Sequence, residues 1–185
     1  MSILLTAFGP FGPNSYNPTE HVARLVEERW SHPAQLSVEI LPVEYATARE
    51  RVFALGPFDV HLALGLAADR DVPTLERFAM NRQEAAAPDN AGYLAAGESI
   101  DESAPLAFET TLPFRRLIEH ANAAGYRVRE SRTAGLYVCN TVMFSAIQTS
   151  QCAGFLHLPP AEAFSVEDGA GLVELLLGEL VANQC

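Results

Sequence analysis

Apolar residues recur along the chain with two spacings, which predict alternating strands and helices. Apolar runs and period-two alternation predict strands at residues 2–8, 36–42, 59–67, 72–81, 126–132 and 153–158. Apolar residues three and four positions apart predict helices at residues 19–30, 44–56, 105–124, 139–149 and 166–182, with an interruption of the third at Pro113. This alternation predicts a three-layer α/β/α sandwich with a largely parallel twisted sheet and helices on both faces.

One long segment, residues 82–104, has neither periodicity and contains the turn-rich sequence PDNAG at residues 88–92. A segment of this length without secondary structure is unusual in a compact domain, which indicates a functional role. The chain has 185 residues, the length of one domain, so we expect residues 1–185 to form a single catalytic domain.

Composition and charge exclude several classes of protein. Hydrophobic residues make up 49% of the chain, which excludes a disordered protein. The net charge of −11 disfavours binding to nucleic acid or to an anionic membrane surface. No apolar run is long enough to span a membrane, and the first 19 residues lack the basic region of a secretion signal. We therefore expect a cytoplasmic protein.

The three cysteines, Cys139, Cys152 and Cys185, are too few and too scattered for a disulfide framework. They show no CxxC spacing, so we expect no structural zinc site. In a reducing cytoplasm each would stay a thiol, either packed as a small hydrophobic group or reactive.

Three residues could form a nucleophile, a base and an orienting acid. Cys139 stands near a predicted helix N-terminus, where unpaired N–H groups lower a thiol pKa; the alternative is a buried, inert cysteine. His157 comes late in a short apolar strand and could serve as the base, or be an ordinary core histidine. Glu76 shares a strand face with Thr74 and Phe78, so its carboxylate needs a partner, either an imidazole N–H or an arginine. The residues alone indicate a cysteine hydrolase of acyl or amide bonds, without showing that the three side chains meet.

Five short motifs, in the same order, resemble the pyroglutamyl-peptidase I (pyrrolidone-carboxyl peptidase) family of cysteine exopeptidases. They are LTAFGPFG at residues 5–12 with NPT at 17–19, LERFAMN at 75–81, PDN at 88–90, TAGLYVCN at 133–140 and GFLHLP at 154–159. The resemblance implies removal of an N-terminal pyroglutamyl (5-oxoprolyl) residue from peptides through a thioester, without a metal or organic cofactor. It also implies a homo-oligomer, dimer or tetramer. According to the resemblance, Cys139 would be the nucleophile, His157 the base and Glu76 the acidic member of the site.

The resemblance also implies a binding site for the lactam ring. Its residues would be Phe8, Phe11, Asn17, Tyr137 and Val138. A flat, uncharged ring suits an aromatic slot, which would reject a free, charged N-terminus. Core packing would equally explain the two phenylalanines, and turn chemistry would explain the asparagine before Pro18.

The chain departs from the family pattern at positions that are polar in many relatives. Leu66 stands where they have Gln, Ala86 where they have Arg, and Val43 where some have Thr. Arg70 or Arg82 could compensate. These departures keep two alternatives open, a non-catalytic binding protein and a cysteine amidase for another cyclic or N-blocked substrate.

Overall fold

The structure is a computed structural model, and it describes residues 1–13 and 15–185. Its strands are β1 (Ser2–Phe8), β2 (Gln35–Leu41), β3 (Val60–Leu66), β4 (Thr74–Glu76), β5 (Phe78–Met80), β6 (Gln83–Glu84), β7 (Ala96–Glu98), β8 (Ala107–Glu109), β9 (Arg129–Ser131) and β10 (Cys152–Leu158). Its helices are α1 (Pro18–Arg29), α2 (Tyr45–Leu55), α3 (Phe114–Ala123), α4 (Val138–Thr149) and α5 (Val166–Ala182).

The central sheet has six strands in the order β2-β1-β3-β10-β4-β9. All neighbouring pairs are parallel except β10 and β4, which are antiparallel. Helices α1, α3 and α5 pack on one face and α2 and α4 on the other, each over its own cluster of buried side chains. The predicted three-layer α/β/α architecture is therefore confirmed.

Strand β10 sends alternate side chains to the two faces of the sheet, as the period of two requires. Leu156 and Leu158 join the cluster under α1, α3 and α5, whereas Phe155 joins the cluster under α2 and α4. His157 shares the face of Phe155, and the two rings lie 4.7 Å apart. The strand thus aims this imidazole at the layer that contains α4.

The predicted strand at residues 72–81 is divided in two at Arg77. Its backbone N–H donates to Ser131 and its carbonyl accepts from Thr110, so the chain leaves the central sheet there. The following residues form β5, which pairs with β8 in a separate two-stranded sheet. The prediction of a helix from residue 105 was wrong because the chain there forms β8. Helix α3 begins only after Pro113, which occupies its N-cap position.

A disulfide joins Cys152, at the start of β10, to Cys185 beyond α5. The chain turns back after the helix, with the N–H of Cys185 bonded to the Leu180 carbonyl, which brings the two Cα atoms to 6.4 Å. The expectation that all three cysteines stay reduced is wrong for this pair, because their proximity depends on tertiary structure. Over the part of the chain that the structure describes, no helix is long and apolar enough to cross a membrane.

Candidate active site

Cys139 is the second residue of α4, directly above strand β3. Its backbone N–H lies in the first helical turn, where no carbonyl of the same helix can accept it. A Cβ atom placed on Gly65 would come within 3.0 Å of the Cys139 Sγ. The absence of a side chain at this glycine therefore leaves the space that the sulfur occupies.

His157 and Glu76 form a buried hydrogen-bonded pair on the same face. The imidazole Nδ1 donates to the Glu76 Oε1 over 2.7 Å, which leaves Nε2 as the basic nitrogen of a neutral ring. The bond is diagonal, since β4 and β10 are antiparallel and Glu76 lies opposite Phe155. The carboxylate is fully buried, and an imidazole N–H is one of the partners that such a group requires.

The sheet register brings the sulfur and the imidazole together. His157 lies directly opposite Gly65 on the neighbouring parallel strand, and the Cys139 sulfur sits over that glycine. Adjacent strands are about 5 Å apart, so both groups occupy one small area of the face. Glu76, His157 and Cys139 therefore lie in one area of the sheet face, with the acid hydrogen-bonded to the base, as an orienting acid, a base and a nucleophile require.

The surroundings of Cys139 disfavour its ionised form. Burial, and after it the negative charge of Glu76, raise the pKa of the thiol to about 12. The backbone N–H of Cys139 and the charge of Arg70 act in the opposite direction but do not outweigh burial. Burial thus acts against the lowering of the thiol pKa that the helix N-terminus is expected to cause.

A cavity of about 270 Å³ opens beside the sulfur. Its lining consists of Phe8, Phe11, Asn17, Val43, Leu66, Ala68, Tyr137 and Cys139. Phe11 and Tyr137 meet edge to face, with their ring centres 5.3 Å apart. Four of the five residues expected around a lactam ring thus lie on the cavity. The fifth, Val138, is fully buried in the core and does not line it.

Asn17 shapes the cavity wall rather than presenting a free amide. Its side-chain oxygen accepts from the backbone N–H and the hydroxyl of Thr19, which caps α1. Its side-chain nitrogen donates to the Gly9 carbonyl over 2.9 Å. These bonds fix the loop that carries Phe11 against the start of the helix.

The PDN turn at residues 88–90, to which the sequence analysis assigns no specific role, supports the two cavity walls formed by Phe11 and Tyr137. The Asp89 carboxylate accepts from the backbone N–H of Tyr45 at the start of α2. Asn90 donates to the Pro10 carbonyl, next to Phe11. The Tyr137 hydroxyl donates to the Pro88 carbonyl over 3.1 Å. The turn thus holds the two sides of the cavity at a fixed separation.

Asn140 anchors the start of α4, a role that sequence reasoning missed. Its side-chain oxygen accepts from the Met80 N–H, and its nitrogen donates to the carbonyls of Met80 and Arg82. Its place directly after Cys139 in a conspicuous motif was the only signal. These three bonds fix the helix turn that carries the sulfur to β5 and to the residue two positions after it.

The positions that depart from the family pattern have different surroundings. Leu66 and Val43 line the cavity, where they make it more apolar, whereas Ala86 is exposed on the surface. Arg82 pairs with Glu84 on the surface. Arg70 does reach the site, where its guanidinium bonds to the Glu76 carboxylate.

The chain matches the model of the pyroglutamyl peptidase family over residues 1–181. The chain belongs to the pyroglutamyl peptidase family. Among curated relatives, the pyrrolidone-carboxylate peptidase of Thermococcus litoralis is 36% identical over 167 residues, which cover 85% of this chain and 76% of the relative. That of Pyrococcus furiosus is 34% identical over 169 residues, 86% of this chain and 81% of the relative. The family consists of cysteine peptidases, which fits the free thiol at the cavity.

Solved structures of the family share the whole fold. A mutant pyrrolidone carboxyl peptidase from Pyrococcus furiosus superposes with a TM-score of 0.94 at 28% identity and covers 100% of both chains. The Thermococcus litoralis pyrrolidone carboxyl peptidase superposes with a TM-score of 0.90 at 28% identity, covering 100% of this chain and 96% of the other. The pyroglutamyl peptidase fold is therefore retained along the entire length.

Proposed function

We propose that this protein is a cysteine exopeptidase that removes an N-terminal pyroglutamyl residue from peptides. The observation that carries the proposal is the His157–Glu76 hydrogen bond on the sheet face where the Cys139 sulfur borders an apolar cavity. Family membership supplies the reaction class, and the relatives' names supply the substrate class.

In the proposed first step the Cys139 sulfur attacks the pyroglutamyl carbonyl carbon. The Sγ–C bond forms, the carbonyl electrons move to the oxygen, and the thiol proton passes to Nε2 of His157. Transfer during attack suits a thiol whose pKa is raised to about 12, since a free thiolate is scarce at neutral pH. The backbone N–H of Cys139 would donate to the oxyanion, a role worth about 3–4 kcal/mol per donor.

In the second step the tetrahedral intermediate collapses to a thioester. The carbon–nitrogen bond breaks, and His157 returns its proton to the departing amine. Water, deprotonated by the same imidazole, then releases pyroglutamate and restores the thiol. Glu76 holds the ring in one orientation and stabilises the imidazolium that forms in each half of the cycle.

The cavity accounts for selection of a blocked N-terminus. Its walls are mainly the rings of Phe8, Phe11 and Tyr137 with the aliphatic side chains of Val43 and Leu66. A flat lactam carries no charge and can be buried there, whereas an ammonium group would lose its hydration without gaining a partner.

The test compares the wild type with Cys139→Ala on a pyroglutamyl arylamide, with an alanyl arylamide as the unblocked control. We expect the wild type to hydrolyse only the pyroglutamyl substrate, and the variant to be inactive. Equal turnover by both proteins, or faster cleavage of the alanyl substrate, would eliminate the proposal. Absence of all turnover would favour a non-catalytic binding protein.

A second candidate is a cysteine amidase for another cyclic or N-blocked acyl group. Leu66 favours it, because this cavity side chain cannot hydrogen-bond to a lactam. A panel of arylamides with pyroglutamyl, cyclopentanecarbonyl, prolyl and acetylalanyl groups separates the two. The highest kcat/KM for an acyl group other than pyroglutamyl would support the amidase.

Three further expectations stay predictions. They are a single catalytic domain over residues 1–185, a cytoplasmic location, and assembly into a homo-dimer or tetramer. Light scattering of the purified protein measures the assembly directly. A single cooperative unfolding transition would support the single domain.

A further inference from the structure

Arg70 lies in the turn that follows β3, against the end of the strand that carries His157. The turn begins where the Ala67 N–H donates to the Leu158 carbonyl over 2.9 Å, one residue beyond the imidazole. It closes where the Arg70 N–H donates to the Ala67 carbonyl over 3.2 Å. The backbone of Arg70 is therefore positioned by the same strand end as the proposed catalytic base.

The guanidinium of Arg70 reaches three side chains. It donates to the Glu76 Oε1, to the Thr74 hydroxyl and, over 3.3 Å, to the Ser131 hydroxyl. The last two belong to adjacent strands, β4 and β9, so the guanidinium is held from both. Its side chain is 24% exposed, whereas that of Glu76 is fully buried.

The Glu76 carboxylate depends on two donors that meet at one oxygen. Oε1 accepts from both His157 and Arg70, and among the described residues the buried Oε2 has no hydrogen-bond partner. A neutral imidazole stabilises a buried negative charge only weakly, through the dipole of its N–H group. A guanidinium keeps its charge at any pH at which proteins fold, so it balances the carboxylate throughout a catalytic cycle.

We propose that Arg70 is a positioning residue that acts through Glu76, pairing with the carboxylate and orienting it so that it fixes the His157 ring toward Cys139. This inference rests on the proposed function, since it assigns a role within that site. Arg82, the other arginine considered from sequence, pairs with Glu84 on the surface and serves as the matched control.

The first experiment is a double-mutant cycle on the pyroglutamyl arylamide. Arg70→Met should lower kcat about 10- to 100-fold with little change in KM, because a misplaced base costs rate rather than binding. Arg70→Lys should recover part of the loss, and Arg82→Met should match the wild type. In the Glu76→Gln background, Arg70→Met should cost less than about twofold, since the group through which it acts is already neutral.

A purely structural role for Arg70 gives a different result. The loss of kcat in Arg70→Met would then be the same in both backgrounds and would follow the drop in melting temperature, and KM would rise as well. That outcome overturns the inference. If Arg70→Met does not fold, the same cycle with Arg70→Lys gives the same contrast.

Alkylation of Cys139 by iodoacetamide separates failure of this inference from failure of the proposed function. A wild type that is alkylated normally but cleaves no pyroglutamyl substrate would instead refute the proposed function.

Discussion

Replacing Gly65 with alanine places one methyl group between the sulfur and the sheet. The new Cβ would lie 2.7 Å from two ring carbons of Phe155 and 3.0 Å from the Cys139 Sγ. The φ angle of this residue is not in the left-handed region, so the effect comes from contact rather than from backbone strain.

The size of the effect follows from these distances. Carbon atoms pack at about 3.5–4.0 Å, so the methyl overlaps the Phe155 ring by about 1 Å. Overpacking of this kind costs about 1–3 kcal/mol, which for a chain of this length lowers the melting temperature by about 2–12 °C. Displacing the sulfur by about 1 Å from its base costs up to about 100-fold in kcat.

Two other glycines separate loss of stability from loss of alignment. Gly154 lies in β10 on the face opposite His157, and a Cβ there would lie 2.5 Å from a methyl carbon of Leu112. Gly178 in α5 has open space around it, so alanine should stabilise the helix by about 1 kcal/mol. We expect Gly154→Ala to lower the melting temperature but keep kcat within about threefold of wild type at 25 °C.

The assay is kcat on the pyroglutamyl arylamide together with calorimetric melting of all three variants. Wild-type kcat in Gly65→Ala, or an equal loss of kcat in Gly154→Ala, would refute the reasoning that Gly65 sets the position of the nucleophile.

The remaining predictions concern the base, the thiol and the disulfide. Glu76→Gln should lower kcat at least about 100-fold because its amide can present N–H to His157 and favour the wrong tautomer, as steady-state kinetics would show; near-normal kcat would contradict this. Alkylation of Cys139 should accelerate about tenfold per pH unit from pH 7 to 10, because its thiolate increases with pH up to a pKa of about 12; a plateau below pH 9 would contradict this. Cys185→Ser opens a link that spans 33 residues, worth about 3–4 kcal/mol, so its melting temperature should fall and match that of reduced wild type; an unchanged value would show that the bond contributes nothing.

The layer architecture could be predicted because it depends on local periodicity. The runs at β1, β3 and β10 are mostly apolar and almost entirely buried, as expected of strands covered on both faces, and helices α1 and α3 have one buried side. Strand direction leaves no such pattern. The short β4 is antiparallel to β10, so Glu76 reaches His157 diagonally rather than from a parallel strand end.

The candidate site was predictable only as a set of residue types. The position of His157 late in its strand distinguishes it from His61, which the structure places near the other end of β3, bonded to Thr6 over 3.0 Å. Burial lowers the pKa of His61 to about 3, so it stays neutral. The pKa of Cys139 could not be predicted from its place at the start of a helix. Its burial, in the cluster that contains Phe155, depends on tertiary packing.

The most direct test of the central claim is to trap the acyl-enzyme. Wild-type protein is mixed with a pyroglutamyl arylamide, quenched in acid within the first turnovers, and digested for mass spectrometry. We predict a pyroglutamyl group on the peptide that contains Cys139, and none on that peptide in Glu76→Gln when quenched at the same early time. Turnover that proceeds with the label on another residue, or that persists in Cys139→Ala, would contradict the account.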